Sequence, residues 1–504
     1  MNGARLNGVM NKNRGINRLT VGILIAFALR VGLAWAAPAK PNVLFIVVDD
    51  LRPTLGCYGD PVADSPAIDR LARQGTTFLR AYCQQAVCCP SRLSVITGLR
   101  PDTIQVWDLK SHFRQAVPDA VSLPQYFKHH GYETRSIGKI LHGNGPPSKD
   151  PPSWSAAPLY DVALDAPLRY ATPENLAGEG LKRDSHESAP VDDEAYVDGK
   201  VCQAARAELE RLAQGTAPFF LAVGFRKPHL PFNAPETYWK RYRADEIPPL
   251  RLGGQPTGAP EWATRSWREL EGYRDIPKTG PISSEKASRL RHGYYACVSY
   301  VDALVGRLID RLEALSLREN TVICLWSDHG FHLGEQGLWA KANNYELSTR
   351  VPLILSVPQH PVPGATSSAL VELVDLFPTL VEVCGLPALE PLEGISLKPL
   401  LAEPGRAWKR AAFSQYPRAY HGHRHKGAGD VMGNAIRTER YRYVEWRDRH
   451  NGALLSRELY DHRQDPWEMT NVVGEGARTE IVQTMQRALN AGWRAALPEA
   501  SRGQ

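Results

Sequence analysis

Residues 42–50 read NVLFIVVDD, an apolar run rich in β-branched side chains that stops abruptly at two acids. An unbroken apolar run of this length is what a strand of a parallel sheet needs when helices cover both its faces. A second run, Val322 to Trp326, ends the same way in Ser327-Asp328-His329-Gly330. Runs at Pro218–Val223 and Val351–Val357 read as further strands. Between strand candidates, apolar residues recur at three and four positions from Cys297 through Val301, Leu304, Val305 and Leu308 to Leu312, the spacing of a long core helix. Pro66 to Gln74 reads as a short helix, with Ser65 as its cap and Gly75 as its stop. Strands alternating with helices over most of 504 residues predict an α/β protein with a large, mostly parallel sheet flanked by helices.

The tail changes pattern near Pro404, and a smaller α+β subdomain is expected from 408 to 504, with strands at Tyr441–Trp446 and Leu459-Tyr460. Two stretches, 144–193 and 252–283, are rich in loop-forming residues and read as long surface excursions that build a substrate rim. The first 36 residues hold five basic side chains and no acid. They continue into an apolar run split by Arg30 and then Ala34-Trp35-Ala36, the pattern of a cleavable signal peptide, so export to a secreted or periplasmic compartment is expected. The formal charge of +6 falls to +1 without that leader, which gives no ground for a nucleic-acid partner. No other apolar stretch is long enough for a membrane span, and no stable membrane association is expected. Eight cysteines show no metal-knuckle spacing and no disulfide framework.

Ligands of open α/β sheets bind beyond the carboxyl ends of the strands. If the two acid-tipped strands are neighbours, Asp49, Asp50 and Asp328 converge, and three carboxylates in one place call for a cation. Oxygen-rich surroundings favour Ca²⁺, with Mg²⁺ as the alternative, and His329 is an unusual companion for so hard an ion. Any one of these acids taken alone reads equally well as a cap or turn residue.

Residues 87–98, VCCPSRLSVITG, place a thiol at the mouth of a helix: Pro90 suits a helix start, so Cys88 lies among free N–H groups, and Arg92 follows one turn later. Cys88-Cys89-Pro90-Ser91-Arg92, followed by Thr97-Gly98, resembles the type I sulfatase motif Cys-x-Pro-Ser-Arg with a downstream Thr-Gly. The register selects Cys88, which the resemblance implies is converted to formylglycine by a maturation enzyme. A serine attacking sulfur would leave a stable sulfate ester. A geminal diol escapes, because its second hydroxyl, once deprotonated, expels sulfate and restores the aldehyde.

The likeness extends over nearly the whole chain after the leader and is greatest to the iduronate-2-sulfatase branch. Seven blocks follow in that branch's order: 84–103, 123–142 (LPQYFKHHGYETRSIGKILH), 225–232 (FRKPHLPF), 327–341 (SDHGFHLGEQGLWAK), 350–355, 435–446 and 458–471. The resemblance implies an alkaline-phosphatase-like fold. It also implies metal ligands Asp49, Asp50, Asp328 and His329 with the modified Cys88, and catalytic roles for Cys88, Arg92, Lys139, His142, His229 and Lys341. Arg92 and the metal would hold sulfate oxygens; Lys139, one helical turn from His142, would reach the sulfate and His142 the formylglycine. His229 and Lys341 would contact the sulfate, one histidine protonating the leaving oxygen. Outside a motif, a lysine is ordinarily a solvated charge and a histidine a hydrogen-bonded structural residue; His129, His130, His332, His421, His423 and His425 are read that way. The branch reads a uronate carboxylate through C-terminal basic residues, and 421–431 (HGHRHKGAGDV) does not align cleanly with it; Arg424 or Lys426 is the expected substitute. The expected substrate is therefore a sulfated oligosaccharide carrying a uronic acid 2-O-sulfate. The alternatives are another sulfated sugar, a phosphonate or phosphodiester, or an inactive glycan-binding relative.

Overall fold

Asn42–Val48 is buried along its whole length between Phe219–Phe225 and Thr321–Ser327, parallel to both. Its side chains alternate: Leu44, Ile46 and Val48 enter one apolar cluster, and Val43, Phe45 and Val47 enter the cluster on the opposite face. Both faces being covered explains why the sequence shows no polar alternation here. The first cluster is closed by the long helix Ser284–Ala314, by Val197–Leu212 and by Pro66–Gln74. The second is closed by Cys88–Thr97, Leu123–His129 and Leu376–Val383. The computed structural model describes residues 40–142, 149–159, 169–180, 182–243, 245–250, 254–265, 268–419 and 430–499; the expected signal peptide and His421 to Lys426 lie outside the described residues.

The main sheet runs Ala365–Glu372, Thr76–Tyr82, Leu353–Ser356, Thr321–Ser327, Asn42–Val48, Phe219–Phe225, Glu133–Gly138, with the two-residue strand Arg350–Val351 paired to Thr76–Tyr82. Its pairings are parallel except those of Leu353–Ser356 and Arg350–Val351. The chain returns from Ser327 to Arg350 without a covering crossover helix, so the next strand starts at the same end of the sheet and runs back. A second sheet, Ala412–Arg418, Val431–Arg437, Tyr441–Asp448 and Leu454–Asp461, is antiparallel throughout and packs Ile436, Tyr443 and Leu459 against Val482 and Met485 of the helix Thr479–Ala495. The fold is thus alkaline-phosphatase-like, a mostly parallel mixed sheet flanked by helices, with an antiparallel C-terminal sheet.

Two local expectations give way. Ser65 occupies the cap position of Pro66–Gln74, but its hydroxyl accepts from the backbone N–H of Gly56 (2.9 Å). The free N–H groups of Ala67 and Ile68 instead donate to the carboxylate of Asp302, from the long helix, at 3.2 and 2.7 Å. Lys139 and His142 are not on a helical turn; they follow the strand Glu133–Gly138 in a bend. The described part of the 252–283 excursion has many exposed residues, as expected, and is anchored in the core through Leu270, Tyr273 and Ile276.

The bend at Lys139 depends on two facing glycines. Gly138 has φ of 81°, and Gly224, its register partner, passes so close that an added Cβ would lie 2.1 Å from the carbonyl oxygen of Lys139. Gly224→Ala is expected to destabilise the protein by about 1–3 kcal/mol and to displace Lys139, as overpacking does elsewhere; chemical denaturation checks this, and an unchanged midpoint would contradict it.

Candidate active site

The two acid-tipped strands are neighbours in register, with Val48 opposite Ser327, so their tips deliver Asp49, Asp50, Asp328 and His329 to one point. Asp50 takes a left-handed backbone, φ 62°, which aspartate tolerates better than bulky residues. Its N–H donates to Asp328 Oδ1 (3.2 Å) and its carbonyl accepts from the Tyr294 hydroxyl (2.8 Å). The N–H of Leu51 donates to Ser327 Oγ, which in turn donates to the carbonyl of His329. His329 Nδ1 lies 3.0 Å from the carbonyl of Gly330, leaving Nε2 to face the acids.

The helix Cys88–Thr97 points its first residue into this cluster, and all ten of its residues are buried. Cys88 Sγ lies 3.3 Å from His329 Nε2 and 3.5 Å from Asp49 Oδ1. Asp49, Asp50, Cys88 and His329 each offer one atom, all within 4.8 Å of one another. Asp328 Oδ2 is 3.6 Å from His329 Nε2. Asp50 Oδ1 is buried without a hydrogen-bond partner among the described residues and lies 3.4 Å from His329 Nε2. Burial and the neighbouring charges of Asp49 and Cys88 push Asp50 up to about 8, against the pull of Lys341 and His329. His329 resists burial and rises to about 10 because Asp328, Cys88 and Asp50 surround it. These clustered donors fit a hard divalent cation.

Arg92 is entirely buried: Nε donates to Asp328 Oδ2 (2.7 Å), Nη2 to Asp49 Oδ1 (3.0 Å), and Nη1 to the carbonyls of Ile140 (3.1 Å) and Lys139. These bonds fix the two carboxylates. Burial opposes the charge of Asp49, yet Lys139 and Arg92 outweigh it and hold that carboxyl well below its usual range.

Four further groups border the cluster. Lys139 Nζ donates to Asp49 Oδ2 and approaches Cys88 Sγ at 3.6 Å. His142, beside Lys139, has Nδ1 buried with no partner among the described residues; burial and Lys139 push it down to about 3. His229 sits in a loop fixed by Asp198, whose carboxylate accepts the N–H groups of Arg226 (2.9 Å) and Lys227 (2.7 Å). Its Nδ1 lies 2.7 Å from the carbonyl of Leu230, and burial and Lys341 hold it well below the usual histidine range. Lys341 reaches Asp50 Oδ2 at 2.8 Å from a loop tied to the Cys88 helix, Ala342 N–H donating to the carbonyl of Ala86 (3.0 Å).

All ten residues singled out in the sequence therefore meet. His332 is buried away from them, paired with Asn343 at 3.3 Å. Sequence reasoning missed Glu269: it bridges Lys341 Nζ (2.9 Å) and His229 Nε2 (3.3 Å) from the 252–283 excursion, where no motif marks it. It also missed Tyr416, which packs with Val87 and Ala342, and Arg418, which stacks on Tyr416 with its guanidinium 4.4 Å from the ring centroid. Arg418 Nε donates to the carbonyl of Trp262 (2.9 Å), and burial lowers the guanidinium to about 10.

The Sulfatase family model matches residues 41–386, and a model described as N-sulphoglucosamine sulphohydrolase, C-terminal, matches 334–494. The chain is 34% identical to iduronate 2-sulfatase of Mus musculus, over 88% of this chain and 93% of that one, and to the Homo sapiens protein over the same shares. Among solved structures, the phosphonate monoester hydrolase of Agrobacterium radiobacter superposes with a TM-score of 0.73 at 23% identity, covering 90% of this chain and 95% of that one. A protein solved with its substrate D-glucosamine-2-N,6-O-disulfate superposes with a TM-score of 0.71 at 24% identity, covering 90% of this chain and 97% of that one. These two share the fold.

Proposed function

The chain belongs to the sulfatase family and is a sulfuric ester hydrolase, and we propose that it removes the 2-O-sulfate of a uronic acid in a sulfated oligosaccharide. The observation that supports the chemistry is the position of Cys88, its sulfur 3.3 Å from His329 and 3.5 Å from Asp49 at the edge of a hollow ringed by Lys139, His142, His229 and Lys341. The reading as a uronate 2-sulfatase rests on the 34% identity to the two iduronate 2-sulfatases.

In this reading, Cys88 becomes formylglycine, whose hydrate supplies the nucleophile. Asp49, Asp50, Asp328 and His329, with residue 88, hold Ca²⁺ or Mg²⁺, which supplies Lewis acidity to the sulfate oxygens. Lys139 and Lys341 hold the ester anion, and their burial strengthens that attraction. His229 and His142 are neutral before substrate enters; the anion raises the proton affinity of whichever one protonates the leaving oxygen. Arg92 positions Asp49 and Asp328. The leader exports the chain, and residues 408–504 form the subdomain that completes the rim.

Arg418 is the described C-terminal cation that suits a uronate carboxylate, since a guanidinium matches it in a two-pronged pair. Turnover of a 2-sulfated uronate disaccharide, a 6-sulfated hexosamine and a phosphonate monoester tests the assignment. The uronate is expected to lead, and Arg418→Leu to reduce its advantage on the order of tenfold or more, the worth of a hydrogen bond to a charged group. Preference for either other substrate overturns the uronate reading, and binding of the glycan by aldehyde-bearing protein without sulfate release overturns hydrolysis.

A further inference from the structure

Glu269 is the acid that the reaction outlined above does not use. A carboxylate in a pocket meant for an anion is a cost unless it does something there, and this one is built in. Leu270 and Tyr273, both buried, anchor the segment on its far side. Its carbonyl accepts from Lys182 Nζ (2.9 Å) and from the N–H of Gly272 (3.2 Å). Its two carboxylate oxygens are divided between two groups of the site, Oε2 to Lys341 Nζ at 2.9 Å and Oε1 to His229 Nε2 at 3.3 Å.

The titratable groups facing it come from four segments: Lys341, itself bound to Asp50 at 2.8 Å; His229, neutral in the free site; Lys182; and Arg169, which senses the Glu269 charge from beside Tyr170. Lys341 is therefore shared between two carboxylates, and the hollow is less positive than its lysines and histidines suggest.

We propose that Glu269 is a charge filter: held between Lys341 and His229, its carboxylate sets the hollow to accept a singly charged ester and to reject a doubly charged one. The inference rests on the hollow being the ester-anion site. A sulfate monoester carries one negative charge at any working pH. A phosphate monoester of the same shape carries a second above its second pKa of about 6. That extra charge meets Glu269 across a buried site, where like charges repel far more strongly than in water. A phosphonate monoester has one ionisable oxygen and passes the filter, so the exclusion falls on phosphate monoesters alone.

The test is the ratio of kcat/KM for phenyl phosphate over phenyl sulfate, at pH 8 and at pH 5.5, in wild type, Glu269→Gln and Glu269→Asp. Protein groups that titrate between these pH values affect both esters, and the ratio isolates the second charge of the phosphate. Glu269→Gln is expected to raise the ratio on the order of tenfold or more at pH 8 and much less at pH 5.5, where the phosphate ester is mostly a monoanion. Glu269→Asp keeps the charge and is expected to stay near the wild-type ratio. A ratio that Glu269→Gln leaves unchanged, with both rates falling together, overturns the filter and assigns Glu269 to positioning Lys341 and His229. Calorimetric binding of the same two esters to Cys88→Ala and to Cys88→Ala/Glu269→Gln gives the affinity ratio without turnover. A wild type that releases no sulfate then counts against the hydrolase reading, while an unmoved affinity ratio counts against the filter.

Discussion

Cys88→Ala is expected to reduce sulfate ester turnover on the order of 10⁴-fold or more, the scale on which loss of a nucleophile registers in enzymes that attack through a side chain. The fold should survive: Cys88 is 2% exposed, and trimming one sulfur costs about 1 kcal/mol or less, well within the stability of a chain this size. Cys88→Ser is the more informative partner. Its hydroxyl occupies the same place beside His329 and Asp49 but is a single alcohol, so an attack on sulfur leaves a sulfate ester with no second hydroxyl to expel it. The expected result is release of one leaving alcohol per protein molecule, a trapped adduct visible by intact mass, and no further turnover. Multiple turnover by Cys88→Ser would mean that the chemistry does not need an aldehyde hydrate. Mass spectrometry of the peptide around residue 88 has to accompany both measurements, because unconverted Cys88 in the wild type would mimic the variants.

The sequence revealed the site better than it revealed the path of the chain around it, for a physical reason. Asp49-Asp50 and Asp328-His329 sit at the ends of strands that are buried on both faces, and continuous apolar runs announce such strands without any knowledge of their neighbours. Thr76–Tyr82 and Glu133–Gly138 carry partly exposed, mixed residues, and their place in the sheet is set by partners far along the chain, so no local pattern marks them. The reversal of Leu353–Ser356 is likewise a property of the loop before it rather than of its own residues. Glu269 shows the same limit in the site. An acid in a polar stretch looks solvated until Leu270 and Tyr273 are seen to pin the segment to the core. Arg92 shows what a motif leaves unsaid: the spacing puts a cation beside the helix mouth, and only the fold shows that its guanidinium bonds to Asp49, Asp328 and two backbone carbonyls.

That geometry predicts a stability effect larger than any other single substitution at the site should give. Arg92→Met keeps the bulk and removes the charge, leaving Asp49 and Asp328 buried without the guanidinium that bridges them, and the carbonyls of Lys139 and Ile140 without a donor. Breaking a buried ion pair from one side costs about 3–5 kcal/mol, because the surviving charge stays desolvated. Arg92→Lys restores the charge but reaches one carboxylate at a time, so an intermediate loss is expected. Turnover alone cannot separate the roles of this residue, since Arg92 lies within the Cys-x-Pro-Ser-Arg motif and an unmodified Cys88 would also abolish activity. Denaturant unfolding of protein purified with Cys88 unconverted removes that ambiguity: the expected loss of stability depends on the carboxylates and not on the aldehyde. If Arg92→Met unfolds within about 1 kcal/mol of wild type under those conditions, Arg92 does not hold the acidic cluster together. In that case its place in the motif must come from the maturation step, and the convergence of Asp49, Asp50 and Asp328 must be held by the strands and the cation alone.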